Sequence, residues 1–126
     1  MHGQSKILLV DDDETFLISL SEGLNEPEAG LKVLTAGNGR QALEVLGSRP
    51  EIDLLVTDLR MPEMNGFDLL ASLKKDFPAT RAIALTALLT PEVEERLKAI
   101  GDYVCIEKSA GFGELRRVIM CELRRP

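Results

Sequence analysis

The sequence predicts an α/β domain built on a parallel sheet covered by helices on both faces. Two observations predict it. Five short, mostly apolar runs, at residues 6–10, 31–36, 52–57, 82–86 and 103–106, show no strict alternation, and the first is continuous, the pattern of strands buried on both sides. Each is followed by a stretch with helical spacing, and strict alternation of strand and helix implies parallel strands joined by right-handed crossovers.

The elements follow in order. The first run ends in Asp11, Asp12 and Asp13, and Phe16, Leu20 and Leu24 then recur at i, i+4, i+8 with Leu17 alongside. Asp13, directly before Glu14 and Thr15, reads as the N-cap of that helix. The second run leads to Asn38, a helix start, and to Ala42, Leu43 and Leu46. Asp53 is a polar residue at the entrance of the third strand, on the sheet edge away from the strand's carboxyl end, where Asp58 stands. Asn65-Gly66 opens a helix carrying Phe67, Leu70, Leu73 and Phe77. The fourth run ends at Thr86. Thr90-Pro91 is then an N-cap followed by proline at the first helical position, with Glu92, Glu94 and Glu95 behind it, Val93, Leu97 and Ile100 on one face, and Gly101 at the end. The fifth run leads to Lys108, and Leu115, Val118, Ile119 and Leu123 mark the last helix.

Composition bounds the function. The 126 residues are 44% hydrophobic and 29% charged, neither a disordered nor a membrane composition. A chain of this length buries roughly two-thirds of its unfolded surface without metal or disulfide staples, so residues 1–126 read as one domain, with residues 1–4 a flexible tail and no output domain in this chain. Fifteen Lys and Arg against 21 Asp and Glu give a net charge of −6, which argues against nucleic-acid contact, since phosphate binding needs a basic stripe. No apolar stretch approaches the ~20 residues that span a bilayer, and the first residues carry no signal-peptide pattern. Cys105 and Cys121 are too few and too far apart for a disulfide framework or zinc site, which points to the cytoplasm. The single histidine, His2, excludes Ser-His-Asp, Cys-His and multi-histidine metal chemistry. Arg116, Arg117, Arg124 and Arg125 read as a solvated helix face.

In an open parallel sheet, sites form beyond the carboxyl ends of the strands. Those ends carry Asp11, Asp12, Asp58, Thr86 and Lys108. If the first and third strands are neighbours, the three acids converge. At 4 Å two like charges repel by ~1 kcal/mol in water and ~4 kcal/mol at the effective dielectric of a protein surface. Holding three together calls for a cation or a proton. Hard oxygen ligands without imidazole or thiolate suit Mg²⁺, which keeps several waters and a substrate phosphate. Neither G-x-G-x-x-G nor G-x-x-x-x-G-K-[ST] occurs, so a phosphoryl group would approach these acids only with the metal and Lys108 offsetting the charge.

These residues resemble the receiver domain of two-component response regulators. The motifs are Leu9-Val10-Asp11-Asp12-Asp13, Asp53 and Asp58 five residues apart, Met61-Pro62, Asn65-Gly66, Leu85-Thr86-Ala87 and Lys108, and the resemblance runs from Lys6 to about Leu123. It implies a single (βα)5, doubly wound, flavodoxin-like fold with strand order 2-1-3-4-5. It also implies that Asp58 accepts a phosphoryl group from the phosphohistidine of a histidine kinase or histidine phosphotransfer protein, in a chain that catalyses its own phosphorylation and dephosphorylation. Asp12 would ligate Mg²⁺ (or Mn²⁺) directly and Asp11 through water, with Asp58 and the main-chain carbonyl of Arg60 completing the protein ligands. Thr86 and Lys108 would bind phosphoryl oxygens, and Thr86 would pass the change to a downstream effector. Arg60 and Leu88 resemble positions that tune dephosphorylation.

Two features depart from the family pattern. Lys108 is followed by Ser109 rather than by proline, so the bond after it is either trans or a strained cis. The aromatic residue usual three positions before the lysine is replaced by Cys105, with Tyr103 two further back. Strand alternation puts both on one face, about 6.6 Å apart, so either Tyr103 serves a related switching role or Cys105 packs as a small apolar residue. Two other readings compete. Asp11-Asp12-Asp13-Glu14-Thr15 also resembles the opening of haloacid-dehalogenase-like phosphatases, with Asp11 as nucleophile, Asp13 as acid/base and Gly101-Asp102 as a late acidic motif. That reading leaves Asp58 idle. The other is a receiver-like binding module that is never phosphorylated.

Overall fold

The structure, a computed structural model, describes residues 5–25 and 30–125; the expected tail at residues 1–4, with His2, lies outside the described residues. Five strands, β1 (Ser5–Val10), β2 (Leu31–Ala36), β3 (Leu54–Asp58), β4 (Arg81–Thr86) and β5 (Val104–Glu107), form one sheet in the order β2-β1-β3-β4-β5. All four pairings are parallel. The helices are α1 (Glu14–Leu24), α2 (Gly39–Ser48), α3 (Gly66–Asp76), α4 (Pro91–Ile100) and α5 (Phe112–Arg124), with a short 3₁₀ turn at Lys108–Ala110. This is the expected doubly wound arrangement.

Strand pleating sorts the apolar runs into two cores. Leu8, Val10 and Leu55 face α2, α3 and α4, packing with Ala42, Leu46, Leu70, Leu73 and Leu97. Their alternate neighbours Ile7, Leu9, Leu54 and Val56 face α1 and α5, packing with Leu17, Leu20, Leu24, Leu115 and Ile119. Both faces of the central strands are therefore dry, which is why their sequences are continuous rather than alternating. A fully buried Leu or Ile contributes about 1.5–3 kcal/mol.

The helix starts follow their caps. Side-chain oxygens of Asp13, Asn38, Asn65 and Thr90 accept hydrogen bonds from the amides of Phe16 (3.1 Å), Gln41 (2.8 Å), Asp68 (2.9 Å) and Val93 (3.2 Å), each worth ~1 kcal/mol. On α5, Arg117 pairs with Glu114 on an exposed face, whereas Arg125, which caps the helix, pairs with Glu122, which is buried.

Three boundaries differ from those read in the sequence. β3 runs from Leu54 to Asp58 rather than over 52–57, because the Asp53 side chain accepts from the Lys6 amide at 2.9 Å and pairing begins at Leu54. β5 is shifted one residue onward from 103–106, since Glu107 pairs with Thr86, and Lys108 opens the 3₁₀ turn. Phe77 caps α3 instead of continuing it, because Pro78 follows and disfavours helical geometry at the preceding residue.

One contact ties the fold to the carboxyl edge of the sheet. A Cβ on Gly66 would lie 2.2 Å from the Asp58 carbonyl oxygen and 2.7 Å from Leu59 Cα, so the start of α3 presses against the end of β3 with no room for a side chain. Gly66→Ala is expected to destabilise the protein by about 1–3 kcal/mol through overpacking, read as a lowered midpoint of urea unfolding at unchanged slope.

Candidate functional site

The register of the sheet assembles the site. β1 pairs Val10 with Thr57, so the next residues, Asp11 and Asp58, sit side by side at the carboxyl edge. β3 pairs Asp58 with Leu85, which puts Thr86 one step beyond on the other flank. β5 ends at Glu107, in register with Thr86, and Lys108 reaches back across that edge. Its ammonium nitrogen lies 2.8 Å from Asp11 Oδ2 and 3.5 Å from Asp58 Oδ2. Asp11 and Asp58 are buried, 2% and 5% exposed, and Asp12 is exposed. One carboxylate oxygen from each of Asp11, Asp12 and Asp58 lies within 4.8 Å of the others.

Asp11 is held rigidly. Its Oδ1 accepts from the Asp13 amide at 2.9 Å, while its buried Oδ2 lies 2.8 Å from the Lys108 ammonium. Burial, followed by the charge of Asp11, pushes the Asp58 carboxyl above its ordinary range; Lys108 and a hydrogen bond from the Arg60 amide pull the other way. For Lys108, burial works to lower the ammonium pKa, but the adjoining Asp11 and Asp58 carboxylates outweigh it and the net shift is upward. The edge therefore holds more negative charge than its one ammonium offsets. Three hard carboxylate oxygens within 4.8 Å of one another fit a small hard divalent cation. A cleft of about 550 Å³ lined by Asp11, Asp12, Glu14 and Ile18 opens on one side, and a groove of about 700 Å³ lined by Arg60, Thr86, Thr90 and Arg96 on the other.

The remaining expected residues are placed as follows. The Thr86 hydroxyl donates to the Leu88 carbonyl at 3.1 Å and accepts from the Leu88 amide at 3.4 Å. Cys105 pairs with Ala84 and packs, half-buried, against the α2–α4 core; burial, then the charges of Glu94 and Glu107, push its thiol up to about 11. Tyr103 precedes β5 beside the start of β4, about 13 Å back from Thr86 along the sheet, and burial raises its phenol pKa. The Lys108–Ser109 bond is trans, as no peptide bond among the described residues is cis. Asp13 is engaged as the α1 cap, and Asp102 precedes β5 at the opposite edge of the sheet, near Lys74 and Arg81. The late acidic motif of the phosphatase reading is thus at the opposite end of the fold from Asp11 and Asp13.

Two neighbours of the site went unmarked in the sequence. Phe16, read there only as a core position, lies with its ring centroid 4.5 Å from Lys108 Nζ. Glu107 accepts from the Leu89 amide at 2.8 Å, tying the loop after β4 to β5. Nothing in their local patterns points to either contact, because both partners are distant in the chain.

Comparison with known proteins agrees with this geometry. The sequence pattern of the response regulator receiver domain matches residues 7–120. The transcriptional regulatory protein GlrR of Escherichia coli is 43% identical over 86 residues, 68% of this chain and 19% of its own length. The two-component response regulator ORR5 of rice (Oryza sativa subsp. japonica) is 30% identical over 86% of this chain and 75% of its own. Among solved structures, chemotaxis protein CheY4 of Vibrio cholerae superposes with a TM-score of 0.86 at 27% identity, covering 94% of this chain and 98% of that one. With the fold, the sheet order and the match over nearly the whole sequence in accord, this chain belongs to the response regulator receiver domain family.

Proposed function

We propose that residues 1–126 make one receiver domain in which Asp58 accepts a phosphoryl group from the phosphohistidine of a histidine kinase or histidine phosphotransfer protein. The observation that carries this reading is the meeting of Asp58 with Asp11, Asp12 and Lys108 at one edge of the sheet. Asp58 is the carboxylate flanked by both the acid pair and the ammonium. In the transfer, the bond between phosphorus and the donor's imidazole nitrogen breaks as a bond to an Asp58 carboxylate oxygen forms, and the electron pair leaves with the nitrogen. A carboxylate is already nucleophilic, so no general base is needed.

Asp12, Asp58 and the main-chain carbonyl of Arg60 would hold Mg²⁺ directly and Asp11 through water, and when bound the ion neutralises phosphoryl oxygens. Lys108 offsets a further oxygen from the β5 side, since phosphoryl transfer rests on alignment and charge neutralisation. Thr86, whose hydroxyl bonds the Leu88 main chain, turns to the phosphoryl group and biases the loop after β4, shifting a pre-existing equilibrium read by a downstream effector. We place the domain in the cytoplasm, where a reducing environment suits the free thiols of Cys105 and Cys121.

Intact-mass measurement tests the acceptor. With acetyl phosphate and Mg²⁺ the wild type should gain one phosphoryl group, and Asp58→Asn should gain none; labelling of Asp58→Asn at the wild-type rate, or of Asp11 in its place, would overturn the reading. Failure of the wild type to label would favour the unphosphorylated binding module.

The electrostatics yield a second expectation. A carboxyl whose folded pKa is raised costs nothing below its ordinary value of 3.8; the cost grows as pH rises through the folded value and is complete above it. Asp58→Asn should therefore stabilise the metal-free protein at neutral pH, and the gain should vanish on acidification below that ordinary value. Mg²⁺ should raise the melting temperature of the wild type and do so far less in Asp12→Asn, while removal by EDTA should reverse the rise. These outcomes are read by thermal unfolding at two pH values, with and without chelator.

A further inference from the structure

Lys108 is held by side-chain neighbours rather than by its own backbone. It opens a one-turn 3₁₀ segment whose start has no side-chain cap, and no proline stiffens the bond that follows. An ammonium on a four-carbon stem explores many rotamers. Here three neighbours confine it: Asp11 Oδ2 at 2.8 Å, Asp58 Oδ2 at 3.5 Å, and the face of the Phe16 ring at 4.5 Å. The first two are the carboxylates that would be occupied when metal and phosphoryl group arrive. The ring is the one neighbour of the three whose attraction for the ammonium does not depend on those carboxylates, because it comes from the negative face of the aromatic quadrupole.

Phe16 is itself braced. Phe112, at the start of α5, meets it edge-on, with centroids 6.3 Å apart and planes at 66°. A Cβ on Gly23 would come within 3.3 Å of the Phe112 ring, so the bare glycine lets that ring lie close over α1. Gly23, Phe112, Phe16 and Lys108 thus form a continuous stack from the α1–α5 seam to the carboxyl edge of the sheet.

We propose that Phe16 is a positioning residue for phosphoryl transfer: its ring face keeps the Lys108 ammonium at the edge of the site, aimed where a phosphoryl oxygen arrives. This rests on Asp58 as the acceptor and Lys108 as the phosphoryl ligand. Phe16 touches neither the acceptor oxygen nor the donor. It acts through Lys108, setting how often the ammonium is in place when the phosphorus is attacked.

The test uses the whole chain with Phe16→Leu, which keeps apolar bulk without a ring, Phe16→Tyr, which keeps the ring, and trifluorophenylalanine at position 16, which keeps shape but weakens the quadrupole. In metal-free protein the ring should move the Lys108 Cε proton resonances upfield; Phe16→Leu should abolish that shift and Phe16→Tyr keep it. The rate of Asp58 labelling by acetyl phosphate with Mg²⁺ should fall roughly two- to fivefold in Phe16→Leu and in the trifluoro variant, the range expected of one cation–π contact, and should hold in Phe16→Tyr. Equal labelling rates in all variants overturn the proposal whatever the resonances do. A fall in Phe16→Leu without a fall in the trifluoro variant also overturns it, since packing alone would then suffice. Wild type that takes no phosphoryl group at Asp58 overturns the acceptor reading instead, and the two failures are told apart by that single control.

Discussion

Three carboxylates crowd one edge of the sheet against a single ammonium, and the rest of the structure is arranged around that imbalance. The pairing of Val10 with Thr57 leaves no freedom in the matter: once β1 and β3 are neighbours in that register, Asp11 and Asp58 emerge together. Burial makes their repulsion expensive, because the effective dielectric falls away from that of water. Part of the compensation is diffuse. The helices α1, α3 and α4 begin at this same edge, on the caps Asp13, Asn65 and Thr90, so their positive ends lie on the same side of the sheet as the acids. The concentrated part is Lys108, and the remaining deficit is what makes the site receptive to a divalent cation.

The far flank of the site is a small set of hydrogen bonds converging on one loop. Thr86 binds the Leu88 main chain through its hydroxyl, and Glu107, its register partner, holds the Leu89 amide. Two adjacent strands thereby hold neighbouring residues of one loop. Behind that loop, where the family usually has an aromatic ring, Cys105 contributes a smaller side chain, and a cavity of about 200 Å³ lined by Leu89, Leu97, Tyr103 and Cys105 lies between α4 and β5. The thiol there is pushed up to about 11, so it remains protonated at neutral pH and packs as a small apolar group. Position 105 carries no ring, and the Leu88–Leu89 loop is tied instead to the Thr86 hydroxyl and the Glu107 carboxylate.

Much of this is legible in the sequence. Unbroken runs such as Leu8-Leu9-Val10 announce a two-sided sheet, and Asp13, Asn38, Asn65 and Thr90 announce helix starts, because strand burial and helix capping are each decided within a few residues. The misread edges have tertiary causes. Ile52 extends the apolar run of the third strand, yet Asp53 turns its carboxylate onto the Lys6 amide and pairing begins at Leu54. Glu107 looks like the start of a polar loop, yet it completes a ladder with Thr86.

The amino-acid order by itself determined which residues gather at the carboxyl edge: acids, hydroxyl and ammonium stand at the ends of apolar runs, and the direction of a parallel strand sends all of those ends to one side. Tertiary structure decided how they meet. The distance from Lys108 to Asp11, the ring of Phe16 beneath that ammonium, the separation of Tyr103 from Thr86 and the removal of Asp102 to the opposite edge depend on register and helix packing between segments far apart in the chain. Local sequence encodes torsional preference and burial, whereas such contacts are fixed only when the whole core closes.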